Sequence, residues 1–112
     1  MRINLRNLIL KSLERVDKRY VYVVLYHMEL RLGKNPLKIL DENPTRFFKV
    51  YRDIFGEVSL NILMKLISDV LKSEYGVKVN EFEVYDLLVN KKLESIKIGN
   101  SEILYTKKLS TS

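Results

Sequence analysis

The sequence predicts a mainly α-helical protein with four to five helices around one core and a β-hairpin at the C-terminal end. Through most of residues 4–92, apolar residues recur every three or four positions, which is the spacing of one helix face. Glycines at positions 33, 56 and 76 follow such segments, where helix C-caps are expected. The 112 residues are predicted to form a single domain, and the class becomes α+β if the hairpin gains a third strand.

Two helices are predicted at the N-terminal end. Residues 4–16 place apolar side chains on one helical face and charged side chains on the other. Asp17 is a suitable N-cap for a second helix from residue 18 to about residue 32. Its first half, residues 20–26, is rich in β-branched and aromatic residues and is also compatible with a buried strand. A helix is favoured because the helical spacing continues to the end of the segment and Gly33 follows as a C-cap.

The clearest helix start lies near the middle of the chain. Asn43 is a suitable N-cap, and Pro44 takes the first helical position, where its missing N–H costs nothing. This helix is predicted to end at Gly56 and to turn one set of side chains inward. These residues are Phe47, Phe48, Tyr51, Ile54 and Phe55. Just before it, residues 37–40 are predicted to form one short turn after a break at residues 35–36.

Two more helices are predicted before the C-terminal segment. The first covers about residues 58–75, has an apolar stripe on one side, and is closed by Gly76. The second begins after the N-cap Asn80 and presents four residues to the core. These four are Phe82, Tyr85, Leu88 and Val89.

Residues 93–107 are predicted to form a β-hairpin. Apolar and polar residues alternate over residues 93–98, and Gly99-Asn100-Ser101 is typical of a turn. Since an isolated hairpin is marginally stable in water, it must pack on the helices or pair with another strand. Residues 77–79 are the expected third strand, and residues 110–112 are a frayed tail.

The composition is that of a globular protein, with 46% apolar and 30% charged residues. The absence of cysteine excludes disulfides and thiolate zinc sites. No signal peptide is visible, and the longest uncharged stretch, residues 20–28, is too short to cross a membrane. These observations predict a cytoplasmic protein with no membrane association.

Catalytic chemistry finds little support in the sequence. His27 is the only histidine, and no spacing identifies serine and aspartate partners for it. Glu29 is two residues away, on the wrong side of a helix to share a metal ion with His27. We expect His27 at the edge of the core with a local hydrogen bond. The sequence therefore predicts a protein that is not an enzyme, with no catalytic residue, cofactor or metal.

The net charge of +6 is concentrated at the two ends of the chain. Basic ends around a near-neutral middle are compatible with a small DNA-binding protein of winged-helix type that contacts the phosphate backbone. The candidate contact residues are Arg2, Arg6, Lys97, Lys107 and Lys108. Residues 81–86, in the helix that would read the groove, are acidic, which weakens this hypothesis. The alternative is that the basic residues are solvated and keep the protein soluble.

Three of the seven tyrosines lie close together in the second predicted helix. Tyr20, Tyr22 and Tyr26 are a candidate protein interface if this helix is not fully buried. Because Lys18 and Arg19 precede them, they are also compatible with platforms for single-stranded nucleic acid, although tyrosines at helical spacing more often lie at the edge of a core.

Residues 26–76 resemble the archaeal Nitrosopumilus output domain family, a small domain of unknown function. The resemblance depends on Tyr26-His27-Met28-Glu29, on Leu40-Asp41-Glu42-Asn43-Pro44 followed by Phe47, and on Ile54-Phe55-Gly56. It departs from the family at residues 57–59, where small residues are usual. The resemblance implies an archaeal, mainly helical domain associated with signalling or regulation, and it implies no catalytic residues.

The sequence thus predicts a non-enzymatic regulatory, signalling-output or protein-interaction module. Its expected partner is another protein or a second copy of the chain. The alternative is the small basic DNA-binding protein described above.

Overall fold

The structure is a computed structural model that describes residues 3–90. Within this range it is all-helical, with six α-helices, 82% of the residues helical and no strand. The helices are α1 (Leu5–Glu14), α2 (Lys18–Leu32), α3 (Pro36–Glu42), α4 (Pro44–Phe55), α5 (Glu57–Tyr75) and α6 (Glu81–Val89).

Side-chain caps fix where most of these helices begin. The predicted caps Asp17, Asn43 and Asn80 each accept hydrogen bonds from backbone N–H groups of the first turn of α2, α4 and α6. Asp17 accepts from the Arg19 N–H at 2.7 Å, and Gly33 ends α2 with a φ of 70°. The helical interpretation of residues 20–26 is therefore confirmed.

The predicted short turn at residues 37–40 is wrong, because these residues belong to the seven-residue helix α3. Asn35 caps α3 by accepting from the Leu37 N–H at 3.0 Å, and Pro36 takes its first position. This is the same Asn-Pro start signal as that of α4, so the pair that was expected to break the chain begins a helix. The described chain accordingly has six helices instead of four to five.

The predicted fold class also needs correction where it allows β structure. Residues 77–79 form no strand within the described range, so the α+β alternative is wrong there. Val77 and Val79 are instead buried in the helical core on either side of the exposed Lys78, which explains their strand-like alternation. The predicted hairpin at residues 93–107 and the tail at residues 110–112 lie outside the described residues.

The core lies around α5, which packs against α1, α4 and α6. From α4, the predicted inward residues Phe47, Phe48 and Tyr51 are buried, and the Phe47 and Phe48 rings meet edge to face at 5.3 Å. α4 and α5 are joined by Gly56 alone, whose φ of 96° is a conformation that residues with a Cβ rarely adopt. α2 packs on α1, α3 and α4, and this arrangement leaves its opposite side facing outward.

In the described part of the chain, no helix has both the length and the hydrophobicity needed to cross a membrane.

Candidate interaction surfaces

The outward side of α2 carries an apolar stripe. Val24 and Met28 are fully buried on the side that packs on the core. At 3.6 residues per turn, Tyr22, Val23, Tyr26 and Leu30 project from the other side, and we call these four residues the outer stripe. Tyr22 is 74% exposed and Tyr26 is 63% exposed. α2 is thus apolar on two sides, which is unusual for a helix at the surface of a monomer.

Three residues of the outer stripe, together with Arg19, have the spacing of a helix-pairing seam. Arg19, Val23, Tyr26 and Leu30 follow one another at intervals of four, three and four residues. This is the alternation by which two α-helices pack along each other in coiled coils. The seam covers most of the 15-residue helix, whose length is about 22 Å.

The three tyrosines predicted as an interface do not lie together. Tyr22 and Tyr26 are in the outer stripe, whereas Tyr20 is half-buried on the core side. The Tyr20 hydroxyl is hydrogen-bonded to that of Tyr51 at 2.9 Å, and its ring packs near Phe55 at 6.4 Å. Burial raises the pKa of the Tyr51 phenol, and the hydrogen bond to Tyr20 raises it further. Tyr20 therefore joins α2 to α4 and is not available to a partner.

His27 is exposed on α2, and its ring lies at the edge of the core, near the partly buried Phe55. Its ring meets Tyr26 at 5.4 Å and Phe55 at 6.4 Å, in both cases edge to face. These contacts extend the apolar surface of the outer stripe towards α4. Among residues 3–90, no group of three or more metal-ligating side chains comes together around His27 or elsewhere.

The predicted nucleic-acid contacts are mostly outside the described range. Arg2 and Lys97, Lys107 and Lys108 are not among residues 3–90. Arg6, the remaining candidate, is held by Asp41, with 2.6 Å between the guanidinium Nε and the carboxylate oxygen. Among the five candidates, the described residues thus include Arg6 alone, and whether the five lie on one face stays a prediction.

Two cations in α1 or directly after it are also engaged with carboxylates. Lys11 lies 3.1 Å and Arg15 lies 3.6 Å from oxygens of Glu74 on α5. The hydrogen bond to Glu74 raises the pKa of Lys11, whose ammonium also sits 5.3 Å from the centre of the Tyr75 ring. These side chains join α1 to α5 at the surface.

A second surface is a groove of about 420 Å³ between α5 and α6, which we call the α5–α6 groove. Leu60 and Met64, which are almost fully buried, form its floor, and Phe82 and Tyr85 form an aromatic wall. Phe82 is 86% exposed, so its predicted inward orientation is wrong. The buried face of α6 is formed by Val84, Leu87 and Leu88.

The polar rim of the α5–α6 groove carries more negative than positive charge. Glu57, Asn61 and Glu81 line it together with one cation, Arg52. The Arg52 guanidinium lies 3.8 Å from the Glu57 carboxylate. Sequence reasoning missed this groove because α6 has two overlapping apolar stripes, residues 82, 85 and 89 and residues 84, 87 and 88, and both have helical spacing.

Comparison of the chain with protein-family models, with curated proteins and with solved structures gives no match.

Proposed function

We propose that this protein is a non-enzymatic protein-interaction module that pairs with a second copy of itself through the outer stripe of α2. The observation that carries the proposal is the pair of large, exposed side chains Tyr22 and Tyr26 directly opposite the buried face of the same helix. Contiguous apolar surface of this kind is typical of a protein contact site.

The proposed arrangement is antiparallel and two-fold symmetric. The four seam positions 19, 23, 26 and 30 are symmetric about a point between Val24 and Leu25. An antiparallel partner α2 therefore places Val23 opposite Tyr26 of the second copy, and Tyr26 opposite its Val23. Such a contact uses the same patch on both copies, which is the usual form of a homodimer interface.

Charge complementarity favours a second copy as the partner and antiparallel as its direction. Lys18 and Arg19 lie at the beginning of α2 and Glu29 lies near its end, and all three are exposed. Arg19 also lies 3.5 Å from Asp17. Arg31, the exposed basic residue of the last turn, lies about 160° around the helix axis from Glu29 and so away from this contact. Antiparallel pairing brings the two cations next to Glu29 of the second copy at both ends of the seam. Parallel pairing would instead set like charges against each other.

The interface is expected to be weak. Two helices of about 22 Å bury less than the roughly 1,200 Å² of a small stable interface, unless neighbouring surface near Phe55 contributes. We therefore expect dissociation constants in the range of about 10 µM to 1 mM, typical of a module whose pairing depends on its concentration or on a larger assembly.

Sedimentation velocity across that concentration range tests the proposal. The wild-type chain is expected to show a reversible monomer–dimer equilibrium, and Tyr26→Lys is expected to abolish it, because two lysines would face apolar groups of the partner. Val58→Lys is a matched control: Val58 is 72% exposed on α5, outside the outer stripe, and its substitution leaves the equilibrium unchanged. A chain that is monomeric at 1 mM, or a dimer that Tyr26→Lys does not weaken, would contradict the proposal.

We also propose a role in regulation or signalling. It is supported by the resemblance of residues 26–76 to the Nitrosopumilus output domain family, and that resemblance is itself a proposal. The alternative of a small basic DNA-binding protein ranks second, because Arg6 is already paired with Asp41. Fluorescence anisotropy with labelled DNA across a salt series distinguishes the two: binding that persists at about 0.15 M salt, with a slope of several counterions, favours the alternative.

A further inference from the structure

We propose that the α5–α6 groove binds an amphipathic, lysine- or arginine-rich helical segment of a partner protein. This surface is separate from the outer stripe of α2, and the proposal is independent of self-pairing. It depends on the exposed aromatic wall, the apolar floor and the sign of the charge around them.

The apolar part of the groove is suited to bind large apolar side chains of a partner. Phe82 is almost fully exposed in the first turn of α6. Other apolar residues anchor α6 to the core, namely Val84, Leu87, Leu88 and Val89. The Phe82 ring and the buried Met64 both line the groove, whose volume of about 420 Å³ is within the range of ligand sites and fits a few aliphatic or aromatic side chains.

A helix is the form of partner that the groove fits best. Its floor and rim on α5 come from residues 57, 60, 61 and 64, and its wall comes from residues 81, 82 and 85 of α6. A partner helix that lies between these two rows presents apolar residues at intervals of three and four to the floor. Its polar face then stays in solvent, next to the charged rim.

The charge of the rim determines the chemistry of the partner. Glu57 and Glu81 line the groove, and Glu83 is exposed one residue after Phe82. Arg52, the cation among the lining residues, is held at 3.8 Å from Glu57. The surplus of carboxylates attracts lysine and arginine and repels phosphates, so a nucleic acid is an unsuitable occupant.

The acidic residues of α6 have a second role that does not account for the groove. Glu81 and Glu83 in the first turn stabilise the helix by their interaction with its dipole. That role is independent of where the neighbouring aromatic residue points. It leaves unexplained why Phe82 lines a groove with an apolar floor while its ring is exposed, and a docked apolar segment accounts for both.

The test uses the full chain labelled with ¹⁵N and a synthetic peptide of about 18 residues, long enough to form a helix. The peptide contains leucine at helical spacing and lysine at the other positions, and its control replaces every lysine with glutamate. We expect the lysine peptide to shift the amide signals of Leu60, Met64, Phe82 and Tyr85, with affinity that falls as salt is added. The glutamate peptide is expected to cause no such shifts.

Two variants and one control establish that the groove is the site. Phe82→Ser is expected to lower the affinity for the lysine peptide about tenfold or more, as removal of an aromatic anchor does. Glu57→Lys together with Glu81→Lys is expected to weaken binding of the lysine peptide and to permit binding of the glutamate peptide. Val58→Ser removes another exposed apolar residue, one of α5 that does not line the groove, and is expected to change nothing.

Three results would overturn the proposal. The two peptides could bind with equal affinity, the amide shifts could be confined to α2, or the Phe82→Ser variant could bind the lysine peptide as tightly as the wild-type chain does. The same holds if the free chain shows contacts between Phe82 and its own residues 91–112 that the peptide does not displace, since the groove would then belong to the protein's own C-terminal segment. Repeating the titration with the Tyr26→Lys variant keeps the outcome separate from that of self-pairing.

Discussion

Helices α2 and α4 both carry several aromatic residues, but they use them differently. In α4, Phe47, Phe48 and Tyr51 all lie on the side that packs on the core and are buried. In α2, the half-buried Tyr20 faces the core, while Tyr22 and Tyr26 face solvent. The aromatic residues of α4 thus stabilise the fold of the single chain, and those of the outer stripe contribute little to it. Large apolar residues that the fold does not need are the best guide to where a partner binds.

The largest expected effect comes from making the same substitution in both helices. Phe47→Ala is expected to lower the free energy of unfolding by about 3–5 kcal/mol, because it leaves a cavity in the fully buried core. Tyr26→Ala is expected to change it by less than about 0.5 kcal/mol, as for most surface substitutions. Urea denaturation followed by circular dichroism measures both values.

Phe47→Leu serves as a milder version if Phe47→Ala does not fold, since it removes less buried volume from the same site. Equal losses of stability for the alanine variants at positions 47 and 26 would mean that the outer stripe is part of the core. The division between a structural and an exposed aromatic set would then be wrong.

A smaller effect is expected at the hydrogen bond that joins the two helices. Tyr20→Phe leaves the Tyr51 hydroxyl buried without its partner at 2.9 Å, which costs about 1–3 kcal/mol. Tyr51→Phe leaves instead the half-buried Tyr20 hydroxyl, which water reaches more easily, so its expected cost is about 1 kcal/mol. Urea denaturation of the two variants checks the order, and Tyr22→Phe, in the outer stripe, is the matched control.

The same pair gives a pH dependence with a defined sign. The pKa of Tyr51 is raised in the folded protein, first by burial and then by the hydrogen bond to Tyr20. Below the unfolded-state value of about 10, tyrosine is protonated in both states and its full contribution to stability is present. Above that value the unfolded chain loses the proton while folded Tyr51 keeps it, so stability falls as pH rises. We expect Tyr51→Phe to reduce this alkaline loss.

The parts of the fold that sequence predicts correctly are those set by local chemistry. A cap such as Asp17 or Asn43 acts on backbone groups two or three residues away, so its effect is visible in the sequence itself. The same rule applies to Asn35-Pro36, which the sequence analysis predicts as a break but which caps and begins α3.

The choice of buried face is a tertiary property, and here sequence is insufficient. α2 and α6 each have apolar residues on two sides at helical spacing, so either side is a suitable core face. The packing of α1, α3 and α4 selects one side of α2, and that of α4 and α5 selects one side of α6. For this reason the sequence pattern predicts Phe82 inward and groups Tyr20 with Tyr22 and Tyr26, whereas Phe82 is exposed and Tyr20 packs against the core. The Arg6–Asp41 ion pair joins residues 35 positions apart and has no local signal.

The smallest effect is expected from charge reversals that test the direction of pairing along α2. Arg19→Glu and Glu29→Arg are each expected to weaken self-association several-fold, because in the antiparallel arrangement each sets like charges together at both ends of the seam. Both side chains are exposed, so neither change is expected to unfold the chain. Sedimentation velocity at matched concentrations measures the loss, and far-UV circular dichroism confirms the fold.

Mixing the two variants provides the decisive control. In a mixed antiparallel pair, Glu at position 19 of one chain meets Arg at position 29 of the other, and Glu29 of the first chain meets Arg19 of the second. Both contacts are attractive, so two variants that pair poorly alone are expected to pair well together. In parallel pairing the wild-type chain would already oppose like charges, so neither single change would weaken it further. Self-association that survives each single substitution would therefore exclude the antiparallel seam while leaving the outer stripe as a contact surface for another protein.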